Sequence, residues 1–153
     1  MNNTALQSVN MLLVEDDPGD VELTRELLTH CKTPISLRIL EDGEQALSYL
    51  LEKAKSEDLH NLPDLILLDL NMPKRNGKEV LEIIKKHDLL KLIPIIVLTT
   101  SSSERDVLES YRLGANSFIT KPVGFKEFSR IIDSIENFWF SQALLPSRSN
   151  HGR

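Results

Sequence analysis

The chain has one cysteine, Cys31, so it can form no internal disulfide, and a reducing cytoplasm is the expected setting. It has no basic excess. Its 18 Lys and Arg stand against 23 Asp and Glu, a formal charge of −5, which argues against nucleic acid as a partner. No apolar run approaches the roughly 18 residues that a bilayer span needs, so no membrane partner is expected. The opening "MNNTALQSVN" lacks both the basic start and the apolar core of a signal peptide. There is no internal repeat and no low-complexity block. Aromatics are scarce before residue 111, where only Tyr49 occurs.

What is present is alternation. Short apolar runs at 11–15, 35–40, 64–69, 93–100 and 117–121 read as strands. Amphipathic stretches separate them. In "DDPGDVELTRELLTHC", Asp17 suits the N-cap and Pro18 the first helical position. A second helix enters through Gly43, with Ala46, Leu47, Leu50 and Leu51 expected on one face. The third spans 77–87, with Val80, Leu81 and Ile84 inward. The fourth follows "TTSSS", where Ser101 and Glu104 have capping-box spacing and Gly114 can close the far end. The fifth starts at Phe125, with Phe125, Phe128, Ile132, Ile135 and Trp139 on one stripe. Five βα units with buried strands predict an α/β doubly wound fold, a five-stranded parallel sheet with helices on both faces. The expected domain spans 10–144. A flexible N-terminus at 1–9 and a polar, mobile tail at 145–153 flank it.

The strand "DLILLD" raises a chemical question. A strand buried on both faces ends in Asp69, and a buried carboxylate is costly unless something accepts it. In open parallel sheets, ligands bind beyond the carboxyl ends of the strands. There the first strand would deliver Glu15, Asp16 and Asp17, the third Asp69 and Asn71, the fourth Thr99 and Thr100, and the fifth Lys121 and Pro122. Clustered carboxylates repel, and a hard divalent cation such as Mg²⁺ reverses that. With a lysine and a hydroxyl alongside, these are the parts for phosphoryl transfer onto an aspartate.

"MLLVEDDP", "LILLDLNMPKRNG", "IIVLTT" and "ITKPV" together resemble the receiver domain of two-component response regulators, over about residues 10 to 140. The resemblance implies a flavodoxin-like (βα)5 fold and a phosphoacceptor that is not an enzyme in the turnover sense. Asp69 would accept the phosphoryl group from a histidine kinase. Asp16 would bind Mg²⁺ (or Mn²⁺) directly, Glu15 through water, and Asn71 by its carbonyl, with Asp69 completing the set. Thr99 would be the switch hydroxyl, Phe118 the rotating aromatic and Lys121 the phosphate-pairing lysine. The Lys121–Pro122 bond would be cis. The fold's relatives among flavin carriers are disfavoured, because "EDDPGD" follows the first strand where a phosphate loop would be needed.

The late aromatics fall on the fourth helix, fifth strand and fifth helix. Phe138 and Phe140 cannot both face one core, so Tyr111, Phe118, Phe138 and Phe140 are expected to mark an interface. The "ENFWF" ending and the second-helix region also resemble the small regulators of cyanobacterial phytochrome kinases. That resemblance implies a homodimer through the helix 4–strand 5–helix 5 face and output by contact with a further protein. The rival is a Mg²⁺-dependent phosphatase of the haloacid-dehalogenase type, which needs a second acid two residues after its nucleophile. Asn71 occupies that place and cannot serve as general acid.

Overall fold

The computed structural model describes residues 8–148. Five strands form one parallel sheet: β1 (Val9–Val14), β2 (Ile35–Leu40), β3 (Leu65–Leu68), β4 (Ile95–Thr99) and β5 (Ser117–Thr120). Their order across it is β2-β1-β3-β4-β5. The alternating helices are α1 (Pro18–Thr29), α2 (Gly43–Ala54), α3 (Gly77–Lys86), α4 (Glu104–Arg112) and α5 (Phe125–Ile135). The expected fold class is therefore the observed one.

Side chains of the central strands alternate between two cores, as the two-residue period of a strand requires. Leu12, Val14, Ile66, Leu68, Ile95 and Val97 pack with Ala46, Leu47 and Leu50 of α2 and Val80, Leu81 and Ile84 of α3. Met11, Leu13, Leu65, Leu67, Ile96 and Leu98 pack with Leu27 and Leu28 of α1 and Phe128, Ile132 and Ile135 of α5. Burial on both faces explains why these strands read as unbroken apolar runs.

Several boundaries differ from the sequence expectation. Leu51 is exposed, because one residue past Leu50 is a 100° turn off the apolar stripe. Phe125 is exposed too. As the first residue of α5 it lies outside the layer that packs on the sheet, and the stripe starts at Phe128. The α4 cap is Ser103, whose hydroxyl accepts from the Asp106 N–H at 3.1 Å; Ser101, the expected cap, instead donates to the Asp106 carboxylate at 2.5 Å. Both serines stand near acids at helix-start spacing, and Ser101 is engaged from β5 by Thr120, which donates to its carbonyl. After Ile135, α5 widens into a π-helical turn, Glu136–Phe140.

The ends of the expected domain also differ. Val9 already belongs to β1 and is buried. Leu145 and Ser147 are buried, and the Ser147 hydroxyl bonds to the Asp64 carboxylate at the start of β3. The rest of the expected flexible ends, 1–7 and 149–153, lies outside the described residues.

Candidate phosphoacceptor and metal site

Parallel topology sends every strand's carboxyl end to one edge, and β1, β3, β4 and β5 are consecutive across the sheet. Hydrogen bonds of the strand ends fix the register there. Glu15 N–H donates to the Leu40 carbonyl at 3.0 Å, and Asp69 N–H to the Val14 carbonyl at 3.0 Å. Lys121 N–H donates to the Thr99 carbonyl at 2.7 Å. Glu15, Asp16 and Asp69 thereby come together, each offering one oxygen within 4.8 Å of the others. Glu15 and Asp69 are buried, whereas Asp16 is open to solvent.

Three carboxylates at this separation repel one another. An oxygen-only donor set with one ligand facing water fits a hard divalent cation that keeps part of its hydration, as Mg²⁺ does. Asn71 follows in the turn after β3, and its N–H donates to Asp69 Oδ1 at 3.3 Å. Asp17 stands apart as the N-cap of α1, its carboxylate accepting from the Asp20 N–H at 2.9 Å.

Lys121 supplies the positive charge already in place. Its side chain is only 5% exposed, and Nζ lies 2.5 Å from Glu15, 2.8 Å from Asp20 and 3.6 Å from Asp69. Burial alone pushes this ammonium down. Hydrogen bonds to Asp20 and Glu15 and the Asp69 charge more than reverse that, so it lies above the ordinary lysine value. Burial raises the Glu15 carboxyl to about 7, against the pull of Lys121 and the Asp17 N–H, while the Asp69 charge adds to the rise. The lysine is therefore shared among three acids, and its shortest contacts are not to Asp69.

Thr99 is fully buried at the end of β4, and the Ser101 N–H lies 3.5 Å from its hydroxyl. Phe118 is half-buried against the core covered by α2 and α3. Tyr111 is exposed, and its hydroxyl accepts from the Phe118 N–H at 3.1 Å. Phe138 is 52% exposed and stacks edge-on against Trp139. Phe140 departs from the interface expectation: it is half-buried and packs on the core under α1 and α5, because the π turn carries Trp139 and Phe140 back toward that core. Pro122 departs as well. Among the described residues no peptide bond is cis, so Lys121–Pro122 is trans, the isomer a prolyl bond favours by about 0.5–1 kcal/mol.

Three contributors escaped the sequence reading. Asp20 reads in the sequence only as part of a helical turn, although an acid in the first turn of α1, just past the strand-end acids, can reach the same edge. Gly77 opens α3 beside the site, and a Cβ on it would sit 2.4 Å from the Asp69 carbonyl. The capping box of Asn76 and Glu79 marks that helix start and was legible from spacing. Asp106 links Ser101 to Lys78 of α3, a connection between remote segments that no local pattern announces.

Comparison with known proteins agrees with this geometry. The model of the response regulator receiver domain matches residues 11–133. Response regulator Rcp1 of Synechocystis is 42% identical over 137 residues, which cover 90% of this chain and 92% of that protein. The crystal structure of the phosphorylated cyanobacterial phytochrome response regulator RcpA is 41% identical, with a TM-score of 0.83 over 92% of this chain and 99% of that one. The Mn²⁺-bound form of Rcp1 is similar with a TM-score of 0.81, covering 90% of this chain and 99% of the other. A buried strand-end aspartate among two further acids and a lysine, on a (βα)5 sheet in this order, thus has its explanation: the chain belongs to the response regulator receiver domains.

Proposed function

We propose that Asp69 is the phosphoacceptor and that a histidine kinase, by likeness to RcpA a phytochrome kinase, supplies the phosphoryl group. The observation that carries this is the placement of Asp69. Its carboxylate is nearly buried, clustered with Glu15 and Asp16, and 3.6 Å from a buried ammonium. One Asp69 oxygen attacks phosphorus in line. The P–N bond to the donor histidine breaks, and the freed imidazole nitrogen takes the electron pair. Glu15, Asp16, Asp69 and the Asn71 carbonyl are the residues that would hold Mg²⁺ or Mn²⁺. When bound, the ion neutralises charge on the transferring group. Lys121 contributes a second fixed charge from the protein side.

The acyl phosphate brings added charge and acceptor oxygens to this edge. Thr99 is the buried hydroxyl that ends β4, and its turn toward the phosphoryl group leaves room for Phe118 to move further inward. The surface formed by α4, β5 and α5 changes as a consequence, a shift between two packings of one fold. Leu108, Tyr111 and Phe138 are exposed there and support a homodimer face and contact with a further protein. The protein signals and is not a turnover enzyme; with Asn71 where a phosphatase needs its acid, release of phosphate is only the end of the signal.

Intact-protein mass after incubation with acetyl phosphate tests the reading. One added phosphoryl group is expected in the wild type with Mg²⁺, and none without Mg²⁺ or in Asp69→Asn. An adduct that persists in Asp69→Asn sinks it.

A further inference from the structure

Lys121 is held more closely by two other acids than by Asp69. Its Nζ makes contacts of 2.5 Å to Glu15 and 2.8 Å to Asp20, against 3.6 Å to Asp69. Charge-assisted bonds of that length are the strong ones. These bonds take two of the ammonium's three donors and pin Nζ in place, so it can move onto a phosphoryl oxygen only if one of the two acids yields. Glu15 belongs to the three-carboxylate cluster as well as to the lysine. Asp20 lies outside that cluster. It sits in the first turn of α1, held there by its N–H to the Asp17 carboxylate, and turns its own carboxylate to Lys121. It is about a third exposed, so removing its charge leaves no buried hole.

We propose that Asp20 is a positioning residue that holds the Lys121 ammonium off Asp69 in the resting molecule, so that release of this lysine limits phosphoryl transfer. The inference rests on Asp69 as phosphoacceptor. In the transfer from acetyl phosphate, the Asp69 O–P bond forms as the acetyl O–P bond breaks and acetate leaves with the electron pair. Lys121 must cross from Asp20 toward the transferring oxygens as that charge develops. The α1 acid therefore sets how readily the site responds, without itself touching the reacting atoms.

A double-mutant cycle separates this role from a general charge effect. Labelling by acetyl phosphate with Mg²⁺ is timed by intact mass over a range of donor concentrations in wild type, Asp20→Asn, Lys121→Ala and the double variant, with Asp69→Asn as control. Asp20→Asn is expected to raise the maximal labelling rate by about threefold to tenfold, at unchanged half-saturating donor, as the loss of one charge-assisted bond allows. No acceleration is expected in the Lys121→Ala background. A rate that is unchanged or slower overturns the inference, and so does an equal acceleration without Lys121, since that reports only lost repulsion of the donor. Melting temperatures of the same four metal-free proteins give a second readout. The two losses should sum to more than the double variant shows, and additive losses overturn the pairing. Where Lys121→Ala labels too slowly to time, this melting cycle decides. Label retained in Asp69→Asn removes the phosphoacceptor reading and this inference together, whereas label that needs Asp69 but ignores Asp20 removes this inference alone.

Discussion

At the scale of single residues, burial and neighbouring charge decide what a side chain can do. Cys31 follows α1 and is half-buried. Burial first, then the charge and hydrogen bonding of Glu136 and the charge of Asp133, push its thiol from 9.0 up to about 12. The folded protein should therefore alkylate slowly at pH 8, and unfolding in urea should restore ordinary reactivity; equal rates in both states would contradict the burial. The same shift fixes a direction of pH dependence. The neutral thiol is favoured by the fold, so its contribution is complete below pH 9. As pH rises toward 12 the unfolded chain loses the proton first and stability falls. Cys31→Ala should flatten that alkaline decline in urea titrations, whatever its effect at pH 7. Gly77 is governed by contact rather than charge. A methyl group there meets the Asp69 carbonyl at 2.4 Å and the Leu70 Cα at 2.6 Å. Gly77→Ala should cost about 1–3 kcal/mol by overpacking and slow labelling of Asp69 as well, because the atoms that must give way are the backbone of the acceptor itself. Unchanged stability and rate would show that the turn accommodates the methyl freely.

At the scale of elements, α4 differs from its neighbours. Ser110 is its one buried residue, and the Ser110 hydroxyl has no hydrogen-bond partner among the described residues. Polar ties take the place of apolar burial. Lys78 of α3 reaches Asp106 at 2.5 Å and Glu109 at 2.6 Å, and Ser101 joins Asp106 to the end of β4. Lys78 lies above the ordinary lysine value through its hydrogen bonds to Asp106 and Glu109, and both acids lie below theirs through Lys78. Acids held low stabilise at neutral pH and lose that contribution as pH falls through their folded values, so this tie loosens in acid. Lys78→Met should cost only about 1 kcal/mol overall, as expected for a solvent-touched network. Its effect should be local: amide exchange should quicken in α4 and stay unchanged in α1. Uniform quickening would mean that α4 is not held separately. Such an element, lightly packed and wired by Ser101 to the strand that carries Thr99, is suited to carry a change away from the site. The wiring was not legible in the sequence. Helix periods and caps are local, and they recovered α1 to α4 to within three residues and the start of α5, but not its end: the expected helix runs on over "ENFWFSQAL", whereas α5 stops at Ile135 and gives way to the π turn. Ser101–Asp106–Lys78 joins three segments whose meeting depends on the finished fold.

At the scale of the whole molecule, the strand-end rule made the acidic site readable before any coordinates. Parallel βα units leave only one edge where Glu15, Asp16, Asp69, Thr99 and Lys121 can meet. The opposite edge carried no such signal, and the polar look of "LPSRSNHGR" concealed the docking of its first residues, 145–148. Leu145 is buried there, and Ser147 closes on Asp64, whose other oxygen accepts from the Asn10 N–H at 2.8 Å. One carboxylate thus ties the starts of β1 and β3 to residues that follow α5. Polarity misled because a single apolar residue and one hydroxyl suffice to anchor a short turn. Leu145→Ala should then cost about 2–3 kcal/mol by cavity formation, the ordinary range for a buried leucine. Ser147→Ala should cost about 1 kcal/mol for the lost bond. Both are read from urea midpoints at constant slope, since a changed slope would signal a different transition. The labelling rate of Asp69 should be unaltered in each, because the strap lies at the far ends of the strands. A stability loss in Leu145→Ala near zero would return the segment to the status of a free tail, and a changed labelling rate would mean that the two edges of the sheet are coupled.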